Sequence, residues 1–497
     1  MDACNRKIKL ERLLEDIDYN IIQGGTDRET GSIHYNTKDV MPGGVFVCIK
    51  GFHTDSHKLV KEAVYNGAAV IVCEDIVDVA IGVTLLQVSD TRKALAKMSS
   101  NYFDNPAKDM IMIGVTGTKG KTTITYMIRG ILSAAGIQTG IIGSIETSYG
   151  IISKQNENTT PESYEIWKTL YDMKNAGIKA VVMEVSSQGL MLERVYAIHF
   201  DYGIFTNISH DHIGKNEHES LNEYIKCKAR LFEQCDLSVI NKDDMYSGIM
   251  ANSARGRVIY YGMPSGVEYV MVNKDGKTGE GDMVPGMSFV IDGFKYMVSL
   301  GGVYSVYNAV AAKTVCDSIL FMDEKETVNN IELEVLSNLN ISGRMEYIKR
   351  KGLAGIIIDY AHNALALSQV LKAVRRYTDG NVVCVFGCGG NRSKLRRYEM
   401  GQAAAKYSDY IIVTSDNPRY EDAVLIMEDI EKGILMAENK RYKAYKMIEE
   451  RKTAVEYALS NSKENDIIVV AGKGHEKYQE IRGRKYNLCD RDIVENY

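Results

Sequence analysis

The chain has 497 residues, 45% of them hydrophobic and 25% charged, with a formal net charge of -5. That length is too great for one hydrophobic core and points to about three domains of roughly 150 residues each, while the ordinary composition excludes fibrous and disordered classes. No long run of Lys and Arg could form a phosphate-backbone stripe, so no nucleic-acid partner is expected.

The amino-terminal text MDACNRKIKLERLL lacks a continuous apolar h-region. No later stretch approaches the ~18 apolar residues of a membrane helix, so membrane insertion is not expected and a cytoplasmic protein is. Nine cysteines are scattered without a CxxC pair or a zinc-type His-Cys cluster. The nearest two, Cys384 and Cys388 in NVVCVFGCGG, read as small buried residues where a strand enters a glycine turn.

In chain order, apolar β-branched runs alternate with helix-length amphipathic stretches. The runs are GAAVIVCE, DMIMIGVTG, AVVMEVSS, YGIFTNI, LSVINKDD, AGIIIDYA, NVVCVFGCGG, YIIVTSDN and DIIVVAGKG. Short continuous apolar strands between helices predict parallel sheets covered on both faces, hence an α/β fold. Turn chemistry in YFDNPAKDM places one seam near residue 108, and a second lies near LNISGRMEYI. The glycine-punctuated text between about 265 and 300 reads as hairpins decorating the central domain. The expected architecture is a smaller α/β amino-terminal domain over 1–108, a central phosphate-loop ATPase domain with a parallel sheet over 109–340, and a Rossmann-like carboxy-terminal domain over 341–497.

The stretch IGVTGTKGKTTITYMI, residues 113–128, runs from an apolar strand through a glycine loop into an amphipathic helix. Gly120, Lys121 and Thr122 supply the end of a phosphate loop, but the position five before Gly120 is Val115, and the glycines fall at 114 and 117. The physics still holds. Gly117 and Gly120 let the amides of Thr118 and Lys119 turn inward, and the helix that begins at Lys121, Thr122 and Thr123 aims its positive end at the same spot. Lys121 would meet the β- and γ-phosphates and Thr122 a Mg²⁺ ion, so ATP is the expected cofactor. Loop chemistry alone does not separate a kinase, a GTPase or a ligase.

Other groups stand where α/β sheets bind ligands. Glu184 ends an apolar strand, His212 follows another, and Lys228 lies in an amphipathic helix. SDNPR (415–419) and GKGHEKYQ (472–479) follow the apolar strands YIIVT and DIIVVA, at the carboxyl ends of parallel strands.

The loop TGTKGKTT, followed in order by NTTPES, MEVSSQGL, FTNISHDH, YIKCKARLF, VYNAVAA, SGRME, DYAHN, FGCGGNR, SDNPR and GKGHEKYQ, resembles the Mur ligase superfamily. Within it, the motifs look like the MurE branch of UDP-N-acetylmuramoyl-tripeptide synthetases, of the type that adds meso-diaminopimelate. The resemblance implies an ATP-dependent amide ligase of peptidoglycan synthesis: ATP phosphorylates a carboxylate of UDP-MurNAc-L-Ala-D-Glu, and the amine of an amino acid displaces phosphate. It also implies small-molecule substrates and a monomer.

The same resemblance assigns residues. Thr122, Glu184 and His212 would hold Mg²⁺, with Lys228 carbamylated by CO₂ so that it becomes an anion; Lys226 is the rival lysine, and the spacing to Leu231-Phe232 selects Lys228. Lys121, Lys228 and His212 would be catalytic. Asn308, Arg344, Asp359 and His362 would contact the nucleotide. Thr37, Thr159, Thr160, Ser187 and Arg194 would bind the UDP-MurNAc-dipeptide. Arg419 would fork onto the distal carboxylate of diaminopimelate and Glu476 would take its distal ammonium, with Arg392, Asp416, Asn417 and Gly472 completing that pocket.

The sequence departs from the family pattern in places. Asn36, Thr37 and Lys38 stand where Asp-Ser-Arg is usual, Gln188 replaces a His, Asn391 an Asp, and Asn363-Ala364 a Thr-Pro type pair. None of these removes a phosphate or metal group, but they permit a paralogue with a different acceptor. The same chemistry with L-lysine or another amino acid, a nucleotide-dependent switch, and a folylpolyglutamate synthetase are the alternatives.

Overall fold

The computed structural model describes residues 6–51, 54–209, 218–273, 283–320 and 325–497. The chain divides into two compact units, Met1–Gly262 with Thr314–Leu320, and Met263–Lys313 with Phe321–Tyr497.

The first unit holds two large sheets among the described residues, beside the small pair Ile8–Lys9 and Glu29–Thr30. A five-stranded sheet runs in the order Asn20–Gln23, Thr84–Gln87, Val70–Cys73, Val45–Val47, Ile33–His34, parallel except for its first pair. An eight-stranded sheet places Ile111–Thr116 between Ala180–Glu184 and Phe200–Phe205, all parallel, with Cys235–Asn241 and Arg257–Tyr261 beyond and an antiparallel hairpin at the other edge. Strands such as Ala180–Glu184 are buried at every position, because helices cover both faces and leave no polar side for alternation. One core runs through both sheets: Val45, Val70 and Leu95 join the same cluster as Ile166, Trp167 and Phe200. Phe103 lies against Tyr102, Tyr164 and Tyr171 at ring distances of 5.0–5.6 Å.

In the second unit Ser265–Asn273, Met283–Ile291 and Phe294–Val298 form an antiparallel three-stranded sheet. A six-stranded sheet follows in the order Glu346–Ile348, Gly355–Asp359, Ile467–Ala471, Val382–Phe386, Tyr410–Val413, Ala444–Met447, parallel except for its first strand. Its central strands are wholly buried, and the helices packed on them start at side-chain caps such as Asn363 and Asp422, which satisfy amides the helix cannot. Cys384 and Cys388 are buried as expected; burial pushes the Cys388 thiol up to about 12. All nine apolar runs of the sequence are strands, and the α/β class holds.

Candidate active site

The loop between Ile111–Thr116 and the helix Lys121–Ala134 is shaped by what lies behind it. Gly117 has φ +142°, and a Cβ there would fall 1.8 Å from Thr206 Oγ1. Only glycine fits so close an approach. Gly120, at φ +94°, precedes the helix and supplies no side-chain cap of its own. Thr206–Asn207, just past the neighbouring strand, grips the loop. Asn207 Oδ1 accepts from Lys119 N at 3.0 Å, its carbonyl accepts from Thr118 N at 2.8 Å, and Thr206 Oγ1 donates to Lys119 O at 2.7 Å. Thr122 and Thr123 are buried in the first helical turn. Lys121 Nζ folds back on the carbonyls of Gly117 and Thr118, at 2.8 and 3.3 Å.

Lys228 reaches the same loop from the helix Leu221–Ala229. It is 1% exposed, donates to Gly117 O at 3.0 Å, and lies 4.6 Å from the ring of Tyr224, whose hydroxyl meets Thr118 Oγ1 at 3.0 Å. Lys226, its rival, is exposed on the same helix. Glu184 is brought in by register, since it pairs with Val115 at the end of the phosphate-loop strand. Its buried carboxylate accepts from Ser144 N at 2.9 Å and Ser144 Oγ at 3.0 Å. His212 lies outside the described residues.

Around Glu184 gather most of the residues assigned to the acceptor. Ser144 Oγ meets Thr159 Oγ1 at 2.9 Å, and Thr160 Oγ1 donates to Glu184 O at 2.8 Å while accepting from Ser186 N. Ser187 is buried at the start of the short helix Ser187–Met191. Arg194 donates to Thr160 O at 2.9 Å and pairs with Glu162 at 2.6 Å. Arg92 shares Glu162 at 3.5 Å; burial, and after the opposing pull of Glu162 the nearby Arg194, hold its guanidinium below the usual arginine range. Thr37 joins this group through no contact among the described residues: its hydroxyl donates to Glu62 at 2.8 Å and its carbonyl accepts from Asn66.

In the second unit the carboxyl ends of Gly355–Asp359, Tyr410–Val413 and Ile467–Ala471 build a second group. Asp359 accepts from Met345 N at 2.8 Å, Arg344 lies 4.8 Å over the Tyr360 ring, and His362 Nδ1 meets Tyr360 O at 2.9 Å. Asn308 is buried in the helix Val303–Leu320. Asn417 Nδ2 donates to Glu476 Oε2 at 2.9 Å, and Lys473, fully buried, donates to both Asn417 Oδ1 and Glu476 Oε2 at 3.1 Å. Gly472, at φ +111°, passes so close to Asp416 that a Cβ would lie 2.6 Å from its Oδ2. Arg419 donates from Nη1 to Gly390 O at 2.8 Å and from Nε to Glu480 at 3.2 Å; the space beside Gly389 is bounded by Arg419, Asn417 and Arg392. The six residues expected to hold the amino acid therefore share one neighbourhood. Burial, then the charge of Arg344, pushes the His475 imidazole down to about 4.

Sequence reasoning left Ser144, Asn207, Tyr224 and Lys473 without roles. Asn207, Tyr224 and Lys473 stand inside motifs it quoted, but a hydrogen bond spanning 88 residues, as from Asn207 to Lys119, leaves no local trace. Ser144 stands outside every motif.

A phosphate loop at the carboxyl end of a parallel sheet, with a buried lysine against it and a buried carboxylate at the end of the neighbouring strand, defines a nucleotide-dependent α/β enzyme. Family models narrow this class: "Mur ligase middle domain" matches residues 115–316 and "Mur ligase, glutamate ligase domain" residues 343–474. The chain is 39% identical to a Caldanaerobacter subterraneus subsp. tengcongensis protein named UDP-N-acetylmuramoyl-L-alanyl-D-glutamate--2,6-diaminopimelate ligase, covering 98% of each. A Clostridium botulinum protein of the same name is 37% identical, over 98% of this chain and 99% of that one. A solved structure of a ligase of that name superposes with a TM-score of 0.66 at 26% identity, covering 99% and 98% of the two chains. MurF from Thermotoga maritima in complex with ADP shares the fold, with a TM-score of 0.60 at 18% identity over 93% of this chain and 96% of that one. The chain belongs to the Mur ligase family, as the motifs implied.

Proposed function

We propose that this chain joins meso-diaminopimelate to UDP-N-acetylmuramoyl-L-alanyl-D-glutamate, with cleavage of ATP to ADP and phosphate, in peptidoglycan synthesis. The activity is the one its full-length relatives are named for. The observation that carries it in this molecule is the gathering of Arg419, Glu476, Asn417, Asp416 and Gly472 at one set of strand ends. A guanidinium and a carboxylate in one neighbourhood would suit the paired carboxylate and ammonium of the distal stereocentre.

A carboxylate is a poor electrophile. Transfer of the γ-phosphoryl group to it gives an acyl phosphate, and attack by the amino-acid nitrogen gives a tetrahedral adduct that expels phosphate. The loop amides from Gly117 to Gly120 and the Lys121 ammonium would cradle the transferring group, and the start of the helix Lys121–Ala134 would add its positive end. Arg344, Asp359, His362 and Asn308 would hold the rest of the nucleotide. Thr159, Thr160, Ser187 and Arg194 would present the acceptor, with Thr37 toward its uridine end.

The donors beside the loop fit Mg²⁺: a Thr122 hydroxyl and a Glu184 carboxylate are the hard oxygens this ion takes. When bound, Mg²⁺ would offset the charge of the phosphates and the carboxylate. A Lys228 ammonium would oppose a cation; as a carbamate it would support one. His212 would join them. We assign the three domains, 1–108, 109–340 and 341–497, to acceptor, ATP and amino acid, and place the enzyme in the cytoplasm as a monomer.

The test is phosphate release by purified protein with ATP, UDP-MurNAc-dipeptide and a panel of amino acids. Release should depend on meso-diaminopimelate, with L-lysine at least about a hundredfold poorer in kcat/KM, the scale of a lost charged contact. Equal rates with both amines would show another amine specificity, and release without any amine would defeat the ligase reading.

A further inference from the structure

We propose that His218, Glu223 and Cys227 form a binding site for a soft divalent cation of the Zn²⁺ class, separate from the Mg²⁺ of the ligase reaction. One ligand atom from each residue lies within 4.8 Å of the others, and His218 Nδ1 is 3.9 Å from a Glu223 carboxylate oxygen. Glu223 and Cys227 are four positions apart on the helix Leu221–Ala229, so their side chains rise from one face, one turn apart. The turn ahead of the helix brings the imidazole over that face. Ser220 Oγ caps it by accepting from Glu223 N at 3.2 Å, and Glu219 N donates to the Glu223 carboxylate at 2.6 Å. His218 is fully buried with its ring 5.2 Å from that of Tyr224, and Cys227 is buried too, whereas the Glu223 side chain is 38% exposed and leaves a way in from solvent.

The donor set decides the ion. Imidazole, thiolate and one carboxylate oxygen select Zn²⁺ and its neighbours over Mg²⁺, which prefers oxygen alone. Metal–ligand bonds of about 2.0–2.3 Å set tetrahedral ligands roughly 3.5 Å apart, so closure needs side-chain shifts of about 1 Å, and water can supply the fourth ligand. As the sulfur–metal bond forms, the Cys227 proton passes to solvent. The site shares a helix with Lys228 and Tyr224, both of which touch the phosphate loop, so an ion there would stiffen the support of that loop.

Titration of the full chain with Co²⁺ in excess Mg²⁺, without substrates, tests the site independently of the ligase reading. The expected result is a thiolate-to-cobalt charge-transfer band at one equivalent that Zn²⁺ abolishes. Cys227→Ser should remove the band and Glu223→Gln weaken Co²⁺ binding at least tenfold, while Glu184→Gln should leave both unchanged. Absence of the band in the parent protein, its survival in Cys227→Ser, or undiminished affinity in Glu223→Gln would overturn the proposal. The last variant alters a part-exposed side chain, so it decides the matter even if Cys227→Ser fails to fold.

Discussion

Arg419 occupies a backbone conformation that side chains avoid, φ +53°, and its main chain is tied on both sides: its amide donates to Glu480 O at 3.0 Å and its carbonyl accepts from Arg482 N at 2.6 Å. Such a conformation costs about 1 kcal/mol or more and persists where the surroundings enforce it, as at ligand clamps. Arg419→Ala should raise the KM for diaminopimelate by about ten- to a hundredfold, the worth of a charged hydrogen bond, with kcat nearly unchanged; initial rates at varied amino acid check it. Lysine at 419 should not restore binding, because it lacks the planar fork. His475 gives a pH prediction. Its folded value of about 4 lies below the ordinary 6.5, so the unfolded chain takes up the proton first, and stability present above pH 6.5 is lost as pH falls toward 4. The loss amounts to about 3 kcal/mol at most. Urea unfolding between those pH values should show a weaker acid dependence in His475→Gln than in the parent chain. The motif text located Arg419 and Glu476, but not the partner Lys473, since burial of a charged side chain cannot be read from local pattern.

Among the elements, the phosphate loop is the least tolerant of change. Gly117→Ala would drive a methyl into Thr206 and force a strained φ, so ATP binding measured by calorimetry should be lost while the rest of the fold survives. Lys121→Ala should abolish turnover yet leave the loop in place, because its shape rests on Thr206 and Asn207. A second element-level prediction concerns the carboxy-terminal helix Asp490–Asn496. Arg451 and Asp490 are fully buried and doubly hydrogen-bonded at 2.7 Å, and Arg451 also donates to Ala471 O, one residue before Gly472. Arg451→Met strands the Asp490 carboxylate and should cost about 3–5 kcal/mol in denaturant unfolding. The central strands such as Ala180–Glu184, Val382–Phe386 and Ile467–Ala471 were legible because full burial writes continuous apolar runs, whereas Val45–Val47 and Thr139–Ile142, buried but only three and four residues long, were not. Short strands such as Ile33–His34 and Thr147–Tyr149 were not legible either, for two or three residues carry no period.

For the molecule as a whole, the α/β class and the strand ends at which the candidate residues gather were legible because sheet ends can be read from where apolar runs stop. The pairing of N-terminal and central sheets on one continuous core was not, since it depends on packing between distant segments. Removal of divalent ions by EDTA should halt phosphate release and excess Mg²⁺ restore it, as a reaction between anions requires. Nucleotide at a hundred times its Kd should stabilise the protein by about 2.7 kcal/mol, visible as a raised Tm. One detail of the second unit bears on choice of substrate. Lys473 already rests against Glu476, so in the proposed pocket an incoming ammonium would meet a resident rival and gain only by sharing or displacing it. A simple cation would thereby be a poor contender, whereas a zwitterionic end would recover the loss at Arg419.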